Sequence, residues 1–147
     1  MDFDERLIFE GKLSTFEEGY NIGRKILLNP HRDFDAIITI NDVIALGVLR
    51  AAKEFGLLIP EDFSLAGYDD VIFASIAEVP LTTVAQPTRE IGEKSVEILL
   101  KRIEGNIASD NYIHIFLQPK LIIRSSCRTH KLVLDGKSKK IEGGGER

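Results

Sequence analysis

Three polar side chains, Asn41, Asp69 and Gln86, each follow an apolar run that is typical of a buried strand. Asn41 comes after DAIITI, Asp69 comes after FSLAGY, and Gln86 closes LTTVAQ. In an open parallel sheet, ligands bind beyond the carboxyl ends of the strands, where loops and helix N-termini converge. Two amides and a carboxylate donate and accept the hydrogen bonds that sugar hydroxyls or nucleobase edges require. The sequence therefore predicts a site for a small polar ligand at these three residues.

Each of these residues also has a purely structural interpretation. An Asn-Asp pair before a helix commonly caps it, and the helical pattern that follows identifies Asp42 as the predicted N-cap. Asp69 and Asp70 follow Gly-Tyr and are residue types that favour turns. Gln86 precedes a proline and can satisfy a backbone group alone. Both interpretations stay open for Asn41, Asp69 and Gln86 at the level of spacing.

The carboxylates of Asp69 and Asp70 also fit a phospho-acceptor aspartate or a magnesium site, which would make the protein an enzyme. The sequence motifs that accompany phosphate or nucleophile chemistry are missing, because neither a G-x-x-x-x-G-K-[ST] phosphate-binding loop nor a G-x-S-x-G nucleophile elbow occurs. His31, His114 and His130 are scattered, and a single cysteine gives no framework for zinc. We therefore predict no enzyme activity, no catalytic residue, no metal site and no cofactor.

The elements that must position these residues alternate between strand and helix. Apolar runs predict strands over 7–11, 35–40, 63–67 and 81–86, and two short strands on either side of Pro119. The run over 35–40 is almost wholly apolar, so we expect a strand buried on both faces. Start and stop signals predict helices over 16–28, 43–55 and 88–104. This order predicts an α/β fold, a parallel open sheet with flanking helices.

Length and composition fit one globular domain. The chain has 147 residues, 44% of them hydrophobic, and a formal net charge of −4, which is the wrong sign for a domain that grips nucleic acid. One cysteine excludes an internal disulfide, the charged N-terminus is unlike a secretory signal, and no apolar run is long enough to span a membrane. We expect a cytoplasmic protein, with a domain over 1–130 and a flexible polar tail over 131–147.

Three stretches of the sequence occur together in one known family. They are NDVIALGVLRAAKEFGLLIPEDFSLAGYDD, PLTTVAQPTREIGEKSVEILLKRIEG and PKLIIRSS. Over residues 7–128 the chain resembles the effector-binding domain of the LacI/GalR transcriptional regulators. This resemblance implies a type I periplasmic-binding-protein-like fold, incomplete in this chain, and an effector, a sugar or a nucleobase-like molecule, bound between two lobes. It also implies that Asn41, Asp69 and Gln86 line that cleft.

The resemblance further implies a homodimer. In the family, subunits meet through the helix after the Asn-Asp pair and the short segment after Gly-Tyr-Asp-Asp. The corresponding residues here are Leu46, Leu49, Arg50, Ile72, Phe73 and Ile76. Both segments are strongly apolar, which agrees with a subunit contact. The alternative is that both pack only on their own sheet.

The similarity covers only the C-terminal part of such a regulator. We therefore expect the helix-turn-helix DNA-binding domain and most of the first lobe to lie outside this chain, so that DNA is reached only through them. The helix over 88–104 would pack on that first lobe, which predicts an exposed apolar stripe on this helix. The alternative function is a stand-alone sugar-binding module with no role on DNA.

Overall fold

A computed structural model describes residues 4–30, 33–108 and 111–129, together with strands at 132–134 and 137–139. Its first element is a 3-10 turn at Glu5–Leu7. The remaining elements, in chain order, are α1 (Phe16–Leu27), β1 (Ala36–Ile38), α2 (Asp42–Glu54), β2 (Ser64–Ala66), α3 (Ile72–Ile76), β3 (Thr83–Ala85), α4 (Thr88–Ile103), β4 (Lys120–Ile122), β5 (Leu132–Leu134) and β6 (Lys137–Lys139).

The central strands run parallel, as the sequence predicts. β1 pairs with β2 in parallel register, with Ile37 opposite Leu65. Parallel bridges from Ala66 to Thr82 and from Asp69 to Ala85 place β3 beside β2. β4 then pairs with β3 in the antiparallel direction. The carboxyl ends of β1, β2 and β3 therefore lie at one edge of the sheet, and we call the space beyond the ends of β2 and β3 the crevice.

Helices α1 and α2 lie in close contact because glycines occupy their crossing. A Cβ on Gly47 would lie 2.5 Å from the backbone nitrogen of Tyr20, and a Cβ on Gly19 would lie 2.8 Å from the Cα of Ile44. The two helices are also joined by a hydrogen bond, in which the Tyr20 hydroxyl of α1 donates to the carboxylate of Glu54 at the end of α2. This hydrogen bond, with a smaller contribution from burial, raises the pKa of Tyr20.

The core lies between α2, the sheet and the adjoining parts of α1 and α3. The rings of Phe34 and Phe63 meet edge to face at its margin, with centroids 5.7 Å apart and an interplanar angle of 77°. The members of the core cluster are Leu27, Ala45, Val48, Ala51, Ala52, Ile59, Phe63, Leu65, Ala74 and Leu81. Small residues on α2 let the helix approach the sheet closely, which fixes the position of its N-terminus.

The predicted helices are found where the sequence places them. The Thr15 side chain caps α1 by accepting from the amide of Glu18. Gly56 and Gly105 follow α2 and α4 with φ of +66° and +77°, the left-handed conformation that ends a helix most easily in glycine. The predicted tail over 131–147 lies outside the described residues, except for β5 and β6, which pair in the antiparallel direction.

Two predicted strands are wrong. Residues 7–11 form the end of the 3-10 turn and a segment without strand pairing, and residues 112–116, the first of the two strands predicted around Pro119, are also unpaired. The side chains there are exposed, with Phe116 at 90%. A strand exists only if its backbone groups find a neighbouring strand, and the part of the chain that the structure describes offers none to these two segments.

The prediction that β1 is buried on both faces is also wrong. β1 pairs with β2 alone among the described strands, and Ile38, the last residue of β1, is 82% exposed. The apolar stripe of α4 is exposed as predicted, since none of its residues is buried and Ile103 is 73% exposed. Both surfaces have the composition of buried elements without the neighbours that would cover them.

The glycine crossing gives a stability prediction with an internal control. Gly47→Ala places a methyl group against the backbone of α1, so we expect it to lower the free energy of unfolding by about 2–3 kcal/mol. Gly92→Ala is the control, because a Cβ there meets nothing within 4 Å and α4 is a regular helix. It should raise stability by about 0.5–1 kcal/mol. Urea unfolding followed by circular dichroism measures both, and equal effects would contradict the close crossing.

Candidate functional site

Two of the three predicted site residues meet at the crevice. The amide nitrogen of Gln86 donates to Oδ1 of Asp69 at 2.5 Å. The backbone amide of Asp69 donates to the carbonyl of Val84 at 2.9 Å, so the segment after β2 continues along β3. Both side chains are half-buried. The ends of two parallel strands thus bring a carboxylate and an amide together, with further lone pairs on Asp69 and the carbonyl oxygen of Gln86 available to a ligand.

The backbone after β2 is in a conformation that few side chains adopt. Asp69 has φ of 105° and Asp70 has φ of 54°, so two consecutive non-glycine residues lie at positive φ. Such residues are stable only where the surrounding structure holds them. Asp70 is held by Arg124, whose guanidinium nitrogen lies 2.7 Å from Oδ1. Arg124 also donates to the carbonyl of Leu81 at 2.8 Å.

The pair of carboxylates therefore divides into two environments. Asp70 forms a largely buried ion pair with Arg124, with the two side chains 25% and 19% exposed. Asp69 forms no ion pair within the described ranges of the chain, and its Oδ1 accepts from the side-chain amide of Gln86. The described residues contain no cluster of three or more histidines, cysteines or acids that could hold a metal ion. The arrangement offers hydrogen bonds from fixed polar groups to a neutral or partly charged ligand.

The structure corrects the predicted cap of α2 and leaves the predicted ligand contact of Asn41 a prediction. Asn41 is the N-cap of α2, with extended backbone and its Oδ1 accepting from the amide of Ile44 at 2.9 Å. The prediction that Asp42 caps this helix is wrong, because Asp42 already has helical backbone as its first residue. Capping uses only the oxygen of the Asn41 amide. Its nitrogen has no hydrogen-bond partner within the described parts of the chain, so capping and ligand contact are compatible.

Asp42 is the residue that the sequence interpretation missed. Its side chain is 0% exposed, and Oδ1 accepts from the hydroxyl of Thr83 at 2.6 Å. Oδ2 accepts from the backbone amide of Val71 at 2.9 Å, and the backbone amide of Asp42 itself donates to the carbonyl of Tyr68 at 2.8 Å. One signal was present in the sequence: Gly67 lies at the end of β2, where a Cβ would overlap Oδ1 of Asp42.

Five of the six residues predicted for the subunit contact fall into two groups, and the sixth, Arg50, is exposed on α2. Ile72, Phe73 and Ile76 on α3 form an exposed apolar surface, which we call the α3 patch, with Phe73 at 61% exposure. Leu46 and Leu49 are half-buried and pack against the core of their own chain. Packing on the sheet, the alternative interpretation, therefore accounts for part of the apolar surface of α2 and for little of the α3 patch.

One cavity of the molecule is separate from these residues. It has a volume of about 590 Å³ and is lined by residues of β1 and of the segment 7–14. Its lining includes Phe34, Ile38 and Ile44 and none of Asn41, Asp69 and Gln86. An apolar cavity next to the exposed side of β1 suits packing of further apolar chain, whereas the crevice offers the polar groups.

Comparison with known proteins identifies the fold. Residues 3–127 match the family described as periplasmic binding protein-like domain. The ribose operon repressor of Haemophilus influenzae is 38% identical over 109 residues, which cover 74% of this chain and 32% of the repressor. Among curated relatives of this kind, the chain spans about a third of their length.

Solved structures give the same result. The transcriptional regulator CelR in complex with cellobiose is 34% identical, with a TM-score of 0.78 over 86% of this chain and 37% of that one. A LacI family regulator from Enterococcus faecium with bound ribose is 31% identical, with a TM-score of 0.69 over 78% of this chain and 41% of that one. No helix among the described residues is long and apolar enough to cross a membrane. This chain belongs to the periplasmic binding protein-like domain family, and its relatives there are LacI-type transcriptional repressors and regulators.

Proposed function

We propose that this chain is the C-terminal effector-binding and dimerisation portion of a LacI-type transcriptional regulator that acts in the cytoplasm. The observation that supports this most directly is the bonded pair of Asp69 and Gln86 at the carboxyl ends of two parallel strands. Strand ends of this kind are where open α/β sheets bind small molecules. The relatives are repressors and regulators, so we propose no catalytic activity and no cofactor.

The proposed effector is a sugar. Asp69 accepts hydrogen bonds from two neighbouring hydroxyls, while Gln86 fixes the carboxylate and offers its own oxygen to a further donor. Asn41 contributes the amide nitrogen that capping leaves available. Two of the similar regulators have ribose and cellobiose bound, which supports the sugar class. A nucleobase-like effector uses the same donors and acceptors and is the alternative within this proposal.

The proposed cleft needs a second wall. The apolar stripe of α4 and the side chains of Tyr112 and Phe116 are exposed, although their composition is that of packed elements. We propose that they pack on the other lobe of a two-lobed domain, and that closure of the lobes around the effector alters the DNA-binding heads. DNA would be reached only through a helix-turn-helix domain outside this chain.

The net charge of −4 supports one alternative, a stand-alone sugar-binding module with no role on DNA. The two functions differ in the coding sequence upstream of Met1. A reading frame that continues upstream into a helix-turn-helix segment supports the regulator. A stop codon and a ribosome-binding site directly upstream of Met1 support the module.

Ligand binding is tested by thermal shift and calorimetry with D-ribose, cellobiose and adenine. We expect stabilisation of the unsubstituted chain by a sugar, and a loss of affinity of about 10–100-fold in Asp69→Asn, because hydrogen bonds to a charged group contribute about 1.5–3 kcal/mol. Glu61→Gln, an exposed carboxylate outside the crevice, is the control and should bind normally. Stabilisation by none of the three compounds would contradict effector binding by this chain.

The double use of Asn41 predicts that two substitutions at this position differ. Asn41→Ser keeps an oxygen that accepts from the amide of Ile44, so stability should change by only a few tenths of a kcal/mol, while sugar affinity falls because the amide nitrogen is lost. Asn41→Ala removes the cap as well and should cost about 1 kcal/mol. Urea unfolding and calorimetry measure the two effects separately. Full sugar affinity in Asn41→Ser would remove Asn41 from the site.

The proposed dimer is tested by analytical ultracentrifugation. We expect the unsubstituted chain to sediment as a dimer and Phe73→Glu to sediment as a monomer, because a carboxylate in the α3 patch would be desolvated at the contact. Leu58→Glu is the matched control, since Leu58 is as exposed as Phe73 and lies elsewhere. A monomeric unsubstituted chain, or a dimer that survives Phe73→Glu, would contradict the interface.

A further inference from the structure

One residue of α2 holds both ends of the four-residue turn after β2. The backbone amide of Asp42 donates to the carbonyl of Tyr68 at 2.8 Å, where the turn begins. Its Oδ2 accepts from the amide of Val71 at 2.9 Å, where the turn ends. Asp69 and Asp70, the two residues at positive φ, lie between these bonds. The turn that presents the predicted effector carboxylate is therefore closed by Asp42.

We propose that Asp42 is the positioning residue of the effector site: it fixes the turn that presents Asp69 and joins this turn mechanically to the α3 patch. This inference rests on the proposed function, because it assigns Asp42 a role in the same site. Asp42 is fully buried and makes no contact with the ligand in this scheme. Its effect on binding passes through the backbone of residues 68–71.

The turn needs such a residue because its conformation is strained. A non-glycine residue at positive φ is held against its own preference, and this turn has two in succession. Asp69 receives two other supports, the bond from Gln86 and the backbone bond to Val84. Without the carboxylate of Asp42, the amide of Val71 loses its acceptor, and this end of the turn relaxes toward ordinary backbone angles, which moves Asp69 away from the crevice.

The second oxygen of Asp42 connects the turn to β3. Oδ1 accepts from the hydroxyl of Thr83 at 2.6 Å, and Thr83 begins the strand that leads to Gln86. Gly67 leaves room for this arrangement, since a Cβ there would overlap Oδ1. One buried carboxylate at the N-terminus of α2 thus holds both the turn that carries Asp69 and the strand that leads to Gln86.

The link to α3 follows from the chain itself. Val71 is the N-cap residue of α3, and its carbonyl accepts from the amide of Ala74 at 2.9 Å. A ligand that contacts Asp69 therefore acts on a segment whose far end begins the helix that carries the α3 patch. Because Asp42 holds both ends of the turn, a small movement of Asp69 is transmitted to Val71 instead of being absorbed by a flexible loop.

The test is site-resolved amide hydrogen exchange by NMR on the full chain, with a D-ribose titration alongside. In the unsubstituted chain the Val71 amide should be strongly protected although it lies outside regular structure. Asp42→Ala should accelerate its exchange by about tenfold or more relative to the amide of Val48 in the core of α2. Asp42→Asn should restore protection, because its oxygen accepts from Val71 and its amide nitrogen donates to the Thr83 hydroxyl.

Ser126→Ala is the matched control. The Ser126 hydroxyl is also fully buried and also makes two hydrogen bonds, from the amide of Thr82 at 2.8 Å and to the carbonyl of Leu65 at 2.5 Å. It should lower global stability without selective exposure of Val71. D-ribose affinity should fall by about tenfold or more in Asp42→Ala and by less than about threefold in Ser126→Ala.

Three outcomes would overturn the proposal. The first is an unprotected Val71 amide in the unsubstituted chain, which decides the question even if Asp42→Ala fails to fold. The second is an Asp42→Ala variant in which Val71 stays protected. The third is selective loss of Val71 protection in Ser126→Ala as well. If the unsubstituted chain binds neither D-ribose nor cellobiose nor adenine, the proposed function fails instead. The exchange data then still decide whether Asp42 holds the turn.

Discussion

The hydrogen bonds accepted by the buried Asp42 carboxylate hold together the edge of the sheet where the parallel strands end. Removing a carboxylate from water is costly unless fixed donors replace the water, and here a hydroxyl and a backbone amide do so at the N-terminus of a helix. These donors come from β3 and from the turn after β2. The requirement to satisfy one buried charge therefore brings three separate elements together at a single point.

That point is accurately placed only because α2 is itself fixed. The glycine crossing with α1 and the small residues facing the sheet give α2 close contact on two sides. A helix that shifted along the sheet would carry Asp42 away from the Tyr68–Val71 turn. Tight packing of α2 therefore keeps Asp42 within hydrogen-bond distance of its partners. The apolar core supplies the rigidity that these hydrogen bonds require.

The sequence predicts what is local and misses what depends on neighbours. Helix ends at Thr15, Gly56 and Gly105 follow from residue type, because a cap or a left-handed glycine acts within one turn of chain. Strands over 7–11 and 112–116 could not be judged in this way, since pairing depends on another strand. The wrong assignment of the α2 cap to Asp42 instead of Asn41 has the same origin. Both are good caps, and only the position of Thr83 and Val71 shows which side chain is used inside the fold.

The exposed surfaces and the rigid turn together constrain how a two-lobed domain of this kind would respond to its effector. The wall formed by Asp69 and Gln86 is held by backbone and side-chain bonds from α2, β3 and Arg124, so it has little freedom to adapt. The exposed apolar side of α4 has no described neighbour to hold it in place. Under the proposed function, closure around a ligand is therefore a movement of the other lobe against a fixed wall. Under the same proposal, ligand contact reaches the α3 patch through the short, strained segment that Asp42 closes.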